Sequence, residues 1–213
     1  MNLQLYFAPG ACSFVPHVGL EAAGAPFEPK LVKLHRGEQR TPEYLAMNPN
    51  GQVPVLVVDG RPLAQIVAVC DFIDRAFPAA GLLPQEGWAR TQALSQLAWM
   101  NSTPHTTATR FFFPERYAET EGARAEVKKR AAQEFRGYLE RVEKMLPDSG
   151  YWLGERPSFH DAYAFTLLRW GGLAGIDPRT LPGYHAYAQR VLRSPPVAAA
   201  AARERIALDT YKG

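Results

Sequence analysis

The periodicity of apolar positions changes near residue 78 and divides the chain in two. Before that point apolar and polar residues alternate in short runs, and a period of two is typical of β-strands with one buried face. The alternation predicts strands at residues 2–7, 27–34, 55–58 and 61–63. Apolar residues spaced three and four apart predict helices over 13–23 and 65–77.

Capping and turn residues support these limits. Ser13 is suited to the N-cap of the first predicted helix, and Gly24 is suited to the position just after its end. Pro42 stands where a short helix can begin, since its missing N–H costs nothing in the first turn. Asp59-Gly60 is a strong hairpin signal between the last two predicted strands.

The fold class follows from the order of these elements. Strand–helix–strand, a hairpin and a helix predict a small α/β domain over residues 1–77. Residues 78–87 hold several Pro and Gly and indicate a linker. From there on the spacing is helical, which predicts an all-α domain over residues 88–213. Within it, Ser158 and Asp161 form a capping box ahead of an apolar helix.

Composition narrows the functional classes. The 213 residues are 46% hydrophobic and carry a formal net charge of +3, which is too small to indicate a nucleic-acid partner. No apolar run is long enough to span a bilayer, and Met1 leads directly into a strand pattern without a secretory signal. Two cysteines do not make a disulfide scaffold. We therefore expect a cytoplasmic protein with no membrane or nucleic-acid partner.

Cys12 is the first candidate for chemistry. It follows the Pro9-Gly10 turn at the start of the first predicted helix. The free N–H groups and the dipole at a helix N-terminus favour a thiolate, so we expect the pKa of this thiol to be lowered. No second cysteine follows two or three residues later, which excludes a CxxC redox pair. The alternative is that Cys12 is a small buried apolar residue.

Two further segments carry polar or unusual residues. Val53-Pro54 precedes a buried strand, where proline is also tolerated at an ordinary strand start. His105 lies in a Thr-Pro-His-Thr run that we place on the first long helix of the second domain. A lone histidine can be structural, or it can donate or accept a proton near neutral pH. The chain has no Gly-rich phosphate loop and no cysteine–histidine spacing that indicates a metal site.

Taken together, these motifs resemble those of one family over nearly the whole chain. The order and spacing of the relevant segments are similar to those of the bacterial beta-class glutathione S-transferases. The segments are PGACS at residues 9–13, NPNGQVP at 48–54, His105 and the capping box at 158–161. The resemblance implies a thioredoxin-like fold for the α/β domain and a cis peptide bond before Pro54.

The same resemblance implies a function and a set of site residues. Glutathione would be the co-substrate, no metal would be required, and the second substrate would be a small, apolar electrophile, as in detoxification. The family's catalytic positions fall on Cys12 and His105, and Tyr6 stands near the place where other transferase classes use a tyrosine hydroxyl to stabilise the glutathione thiolate. Its glutathione-binding positions fall on Gln52, Val53, Pro54, Gln65 and Ile66. The family also implies a homodimer.

This chain departs from the family at the γ-glutamyl end of the glutathione site. Where Ser, Thr or Gly usually follows an acidic or amide residue, the pair here is Gln65-Ile66, and Ile66 brings bulk without a side-chain donor. Ala98 stands where the family can supply a polar residue across the dimer. Each lost hydrogen bond to a charged group costs about 1.5–3 kcal/mol.

Three functions therefore remain in view. The first is a glutathione transferase in which the glutathione thiolate is stabilised near Cys12 and His105. The second is glutathione-dependent thiol–disulfide exchange, with Cys12 forming a mixed disulfide. The third is a binding protein that keeps the fold but has lost the chemistry or changed the ligand, as Ile66 and Ala98 would suggest.

Overall fold

The structure, a computed structural model, describes residues 1–212. Its first part is a four-stranded sheet in the order β2-β1-β3-β4. The strands are β1 (Leu3–Phe7), β2 (Glu28–Leu31), β3 (Val55–Val58) and β4 (Arg61–Ala64). Strand β1 runs parallel to β2 and antiparallel to β3, and β3 pairs antiparallel with β4. The Asp59-Gly60 turn is confirmed, with φ of +48° and +81° at its two residues.

Three helices cover this sheet. They are α1 (Phe14–Ala22), α2 (Pro42–Met47) and α3 (Ile66–Ala76). Side chains alternate between the two faces of β1, so Leu3 and Leu5 join the main core while Tyr6 packs in a smaller cluster on the other face. The thioredoxin-like architecture expected for this part of the chain is confirmed.

The rest of the described chain is helical. The helices are α4 (Gly87–Ser102), α5 (Pro104–Phe112), α6 (Glu121–Met145), α7 (Phe159–Leu173), α8 (Pro182–Arg193) and α9 (Pro195–Glu204). Helix α7 is buried almost throughout, so it is the centre of this bundle. The predicted capping box begins it: Asp161 accepts from the Ser158 N–H at 2.7 Å, and Ser158 caps the first turn.

One predicted placement is wrong. His105 does not lie on the first long helix of this bundle, because α4 ends at Ser102 and a new helix begins at Pro104. Thr103 between them departs from helical geometry, with φ of −115° and ψ of −77°. Proline has no N–H to continue the ladder of α4, yet it suits the first turn of the next helix. His105 therefore stands at the N-terminal end of α5.

The two parts of the molecule pack on each other through α1, which contacts both α7 and α9. The approach to α7 depends on Gly19, because a Cβ at that position would lie 2.2 Å from the ring of Phe159. The segment between α3 and α4 is also fixed. Asp74 is buried and accepts from the Leu83 N–H at 3.0 Å and from Arg90 Nη1 at 2.7 Å.

Among residues 1–212, no helix combines the length and apolar character that crossing a membrane requires.

Candidate active site

The thiol turn, residues 8–13, connects β1 to α1. Ser13 sits at the N-cap position but does not cap α1 with its side chain. Its hydroxyl is instead hydrogen-bonded within the turn, accepting from the Ala8 N–H at 3.1 Å and donating to the Ala8 carbonyl at 3.3 Å. Gly10 has φ of +68°, a conformation that glycine adopts without strain. The turn is therefore closed on itself by one buried hydroxyl.

The helical domain holds the same turn from outside. Glu204, at the end of α9, accepts from the Gly10 N–H at 2.8 Å. Trp170 on α7 donates its indole N–H to the Gly10 carbonyl at 2.9 Å. A Cβ on Gly10 would lie 2.6 Å from the Arg169 guanidinium, so no other residue fits without a shift. The N–H and the carbonyl of Gly10 are thus hydrogen-bonded to side chains of α9 and α7, which are 194 and 160 residues away in sequence.

Cys12 does not have the acidic thiol that its position suggested. Helix α1 begins at Phe14, and Cys12 is buried in the turn before it, with 8% of its surface exposed. Burial raises the pKa of the Cys12 thiol to about 12, although the N–H groups of Cys12 and Ser13 act in the opposite direction. The thiol donates to the Val53 carbonyl at 3.3 Å. Loss of solvation outweighs the helix terminus, so the expectation of a lowered pKa was wrong.

The segment around Val53 completes this side of the site. The Val53–Pro54 peptide bond is cis, as expected. The Gln52 carbonyl accepts from the Tyr44 hydroxyl at 2.9 Å and from the Asn48 side-chain amide at 2.8 Å. Within residues 1–212 the Val53 N–H makes no hydrogen bond. The segment is thus held from behind, while one backbone donor beside the thiol is left free.

Tyr6 lies next to this segment on β1. Its ring packs edge-on against Tyr44, with 5.9 Å between ring centroids. It joins the small apolar cluster that includes Ala8 and Val53. Tyr6 therefore lies beside Ala8, at the start of the thiol turn, and beside Val53, while Cys12 is buried in the main core.

His105 reaches the same region from α5. Its ring centroid is 4.9 Å from that of Trp170, the residue that holds the Gly10 carbonyl. Its Nδ1 is 2.8 Å from the Tyr163 hydroxyl, which in turn donates to Asn101 Oδ1 at 3.1 Å. Burial lowers the pKa of His105 to about 4, so the imidazole is neutral at pH 7.

The Gln65-Ile66 pair stands at the N-terminus of α3. Gln65 is exposed and has φ of +73°, which places it outside the helix as the N-cap residue. Ile66 is only 4% exposed because its side chain packs in the main core. Its bulk is therefore directed away from the helix terminus, contrary to what its residue type suggested. The free N–H groups of this first turn can still receive an anion.

Ala98 is exposed on α4, beside an open groove between α3 and α4. Gln65, Ser95 and Asn101 line the same groove.

Several residues that contact the thiol turn or support His105 were not singled out from the sequence. Tyr163, Trp170 and Asn101 lie inside ordinary helical patterns and gave no signal. Glu204 did give one, since it continues the buried stripe of Val197, Ala200 and Ala201 on α9. A carboxylate in an apolar stripe must find a partner, and this one finds Gly10 and His17.

Comparison with known proteins places this chain in a family. The chain matches the models for "Glutathione S-transferase, N-terminal domain" over residues 1–75 and "Glutathione S-transferase, C-terminal domain" over residues 125–190. Glutathione S-transferase GST-4.5 of Xanthomonas campestris pv. campestris is 33% identical over 200 residues, which cover 93% of this chain and 97% of that protein.

Solved structures of glutathione transferases are similar to this chain over nearly its whole length. A glutathione transferase homologue from Sulfitobacter, with bound glutathione, superposes with a TM-score of 0.88 at 28% identity, covering 96% of this chain and 99% of that one. The beta-class glutathione S-transferase of Sphingomonas chungbukensis superposes with a TM-score of 0.83 at 31% identity, covering 94% and 98%.

Proposed function

Because the chain belongs to the glutathione S-transferase family, we propose that it joins the thiol of glutathione to small, apolar electrophiles, and that the site described above performs this reaction. The observation that carries the proposal is the thiol turn itself. Elements of both domains fix it beside a free backbone N–H at Val53 and a neutral histidine.

Glutathione has groups that suit the polar positions around the turn. The Val53 N–H, next to the cis peptide, can donate to the carbonyl of the cysteinyl residue, and Gln52 and Pro54 flank this contact. The N-terminus of α3 can receive the γ-glutamyl carboxylate through the Ile66 N–H, with the amide of Gln65 beside it. The residues therefore fit glutathione, with fewer side-chain donors at the glutamyl end than the family usually supplies.

The reaction requires that the glutathione thiol lose a proton. His105 is the candidate to take it, since the imidazole is neutral at pH 7 and packs against Trp170, which holds the thiol turn. The thiolate then forms a carbon–sulfur bond, the leaving group departs with its electron pair, and the imidazolium returns its proton to the leaving group or to water. A thiolate next to an imidazolium is neutral overall, so burial opposes this pair less than it opposes either ion alone.

The structure weighs against thiol–disulfide exchange as the main activity. That reaction needs Cys12 as a thiolate, and burial raises its pKa to about 12. In conjugation, by contrast, the attacking thiolate belongs to glutathione. Cys12 would then lie near the reacting sulfur with its S–H held by the Val53 carbonyl, and Tyr6 would contribute to the same environment.

The test is a conjugation assay with glutathione and an activated aryl halide, on wild type and on Cys12→Ser. We expect turnover by wild type and survival of most of it in the variant, because a serine hydroxyl can keep the hydrogen bond to the Val53 carbonyl and the attacking thiolate belongs to glutathione. A parallel assay follows release of glutathione from a mixed disulfide. Exchange without conjugation, abolished by Cys12→Ser, would favour the second function, and the absence of both activities together with no glutathione binding would favour the third.

We propose further that the protein acts as a homodimer. The groove lined by Gln65, Ala98 and Asn101 would then be completed by the partner subunit, next to the glutamyl end of the site. Sedimentation measures the oligomeric state directly.

A further inference from the structure

Asn101, Tyr163 and His105 form a chain of hydrogen bonds whose direction can be worked out. Asn101 Oδ1 can only accept, so the single hydrogen of the Tyr163 hydroxyl points toward it across 3.1 Å. The Tyr163 oxygen is then left as an acceptor for the contact of 2.8 Å with His105 Nδ1. His105 Nδ1 must therefore carry a hydrogen.

The other ring nitrogen is the one left for chemistry. A neutral imidazole carries one N–H, so a hydrogen on Nδ1 makes Nε2 a lone-pair acceptor. Among residues 1–212 this Nε2 has no hydrogen-bond partner, and it is not among the atoms closed off from solvent. The ring is held against Trp170, which contacts the thiol turn.

Two further features fix the positions of the hydrogens in this hydrogen-bonded series of three side chains. Tyr163 is fully buried, which raises the pKa of its hydroxyl well above the ordinary value and keeps it protonated. Asn101 belongs to the last turn of α4, Tyr163 to α7 and His105 to α5, so three separate helices fix the three members.

We propose that Asn101 and Tyr163 are positioning residues that hold His105 in the Nδ1–H tautomer, which presents Nε2 as the acceptor of the glutathione thiol proton. The last clause rests on the proposed transferase function, whereas the tautomer does not. The thiol S–H proton would pass to Nε2, the sulfur would keep the electron pair, and Nδ1–H would remain on Tyr163.

A second buried histidine supplies an internal reference. His160 Nε2 lies 2.9 Å from the Ala93 carbonyl, which can only accept, so His160 must carry its hydrogen on Nε2. Burial lowers the pKa of both histidines to about 4. At pH 7.5 the two rings are thus both neutral and are expected to be opposite tautomers.

The experiment is nitrogen-15 NMR of the histidine side chains in the full chain at pH 7.5. His105 signals are assigned by their loss in His105→Gln. We expect a protonated Nδ1 and an unprotonated Nε2 for His105, and the reverse for His160. A protonated Nε2 at His105 would overturn the proposal, whether or not the protein conjugates glutathione.

Variants of Asn101 test the relay itself. Asn101→Ala removes the acceptor and frees the Tyr163 hydrogen to turn toward His105 Nδ1, so the tautomer should switch to Nε2–H. Asn101→Asp keeps an oxygen that accepts and should retain the Nδ1–H form. Gln96→Ala is the matched control, because Gln96 is also an amide on α4 that accepts from an aromatic residue, Trp152 at 2.9 Å, and is not assigned to the site.

Activity gives a separate readout. We expect Asn101→Ala to lower kcat about tenfold or more with little change in KM for glutathione, since proton transfer contributes roughly 10²-fold or more. Asn101→Asp should retain most of the rate, and Gln96→Ala should match wild type. An unchanged tautomer in Asn101→Ala would show that Asn101 does not direct the hydrogen. A switched tautomer with an unchanged kcat would show that the tautomer does not matter for catalysis.

Discussion

The two ends of the proposed glutathione site are built in different ways. At the thiol end, the peptide of Gly10 is fixed by Glu204 and Trp170, and Cys12 is fixed by Val53. At the glutamyl end, Gln65 is exposed at a left-handed position, and the Ile66 side chain faces the core. The same chain thus orders one end fully and leaves the other to be completed by ligand or partner.

This difference shows where affinity and reactivity would come from. A preorganised thiol end would place the reacting sulfur accurately without further ordering, which lowers the cost of reaching the transition state. An open glutamyl end would supply mainly backbone N–H groups to the charged groups of glutathione. Glutathione would therefore bind less tightly than in a site that also supplies side-chain donors. Changes at the thiol end should therefore alter stability and rate, while changes at the glutamyl end should alter affinity.

Glu204→Ala should have the largest effect, because it would loosen the thiol end. Glu204 also lies 2.8 Å from His17 Nδ1, and both side chains are fully buried. Removing the carboxylate leaves the Gly10 N–H and His17 Nδ1 without partners in a buried place. We expect a loss of about 3–5 kcal/mol in the free energy of unfolding, measured by urea denaturation followed by circular dichroism.

The matched control is Glu134→Ala. Glu134 pairs with Arg110 at 3.0 Å, but both side chains are more than two-fifths exposed. Such a pair contributes about 0–1 kcal/mol. Equal losses in the two variants would show that the contact between α9 and the thiol turn contributes no more than a surface ion pair.

The pH dependence of Cys12 alkylation tests the thiol end in a second way. Since the pKa of this thiol is raised from 9.0 to about 12, its thiolate fraction at pH 8 is about 10³-fold below that of a free thiol. In a Cys70→Ser background we expect iodoacetamide to react at least about 10²-fold more slowly with the native protein than in guanidinium. The rate should rise with pH without levelling off below pH 11. A plateau near pH 7 would show that the helix terminus prevails over burial.

His105→Gln tests the proposed proton acceptor. Glutamine is polar and of similar reach, but it cannot take up a proton. We expect kcat for conjugation to fall about 10²-fold with KM for glutathione nearly unchanged, because proton transfer, rather than binding, is lost. A rise in KM with kcat preserved would instead place His105 in glutathione binding.

The sequence predicted the fold better than it predicted the site's electrostatics. Alternation and turn residues located the strands, and Asp59-Gly60 and Ser158–Asp161 marked a hairpin and a helix start that the structure contains. These signals are local, since each depends on residues within a few positions. The break at Pro104 was missed because a proline in the first turn of a helix leaves the apolar spacing intact.

The errors at the site have a common physical cause. The pKa of Cys12 depends on burial by residues distant in sequence, and its helix-terminal position alone pointed the wrong way. The bulk expected of Ile66 at the helix terminus was inferred from residue type alone, whereas its apolar spacing with Val69 and Ile73 directs the side chain into the core. Contacts such as Gly10 to Glu204 join positions 194 apart, and only the folded chain brings them together.

Ile66→Thr should have the smallest effect, and it tests the glutamyl end alone. Threonine keeps one branch toward the core and can turn its hydroxyl toward the α3 terminus. If a carboxylate binds there, one added hydrogen bond to a charged group should lower the Kd for glutathione about tenfold.

Ile66→Val is the matched control, since it has the shape of threonine without the hydroxyl. Both variants lose core packing worth about 0.5–1.5 kcal/mol or more, so their comparison isolates the hydroxyl. Calorimetric titration with glutathione measures the difference. Equal Kd values for the two variants would show that no anion of glutathione reaches this helix terminus. The N-terminus of α3 would then not be the glutamyl end of the glutathione site.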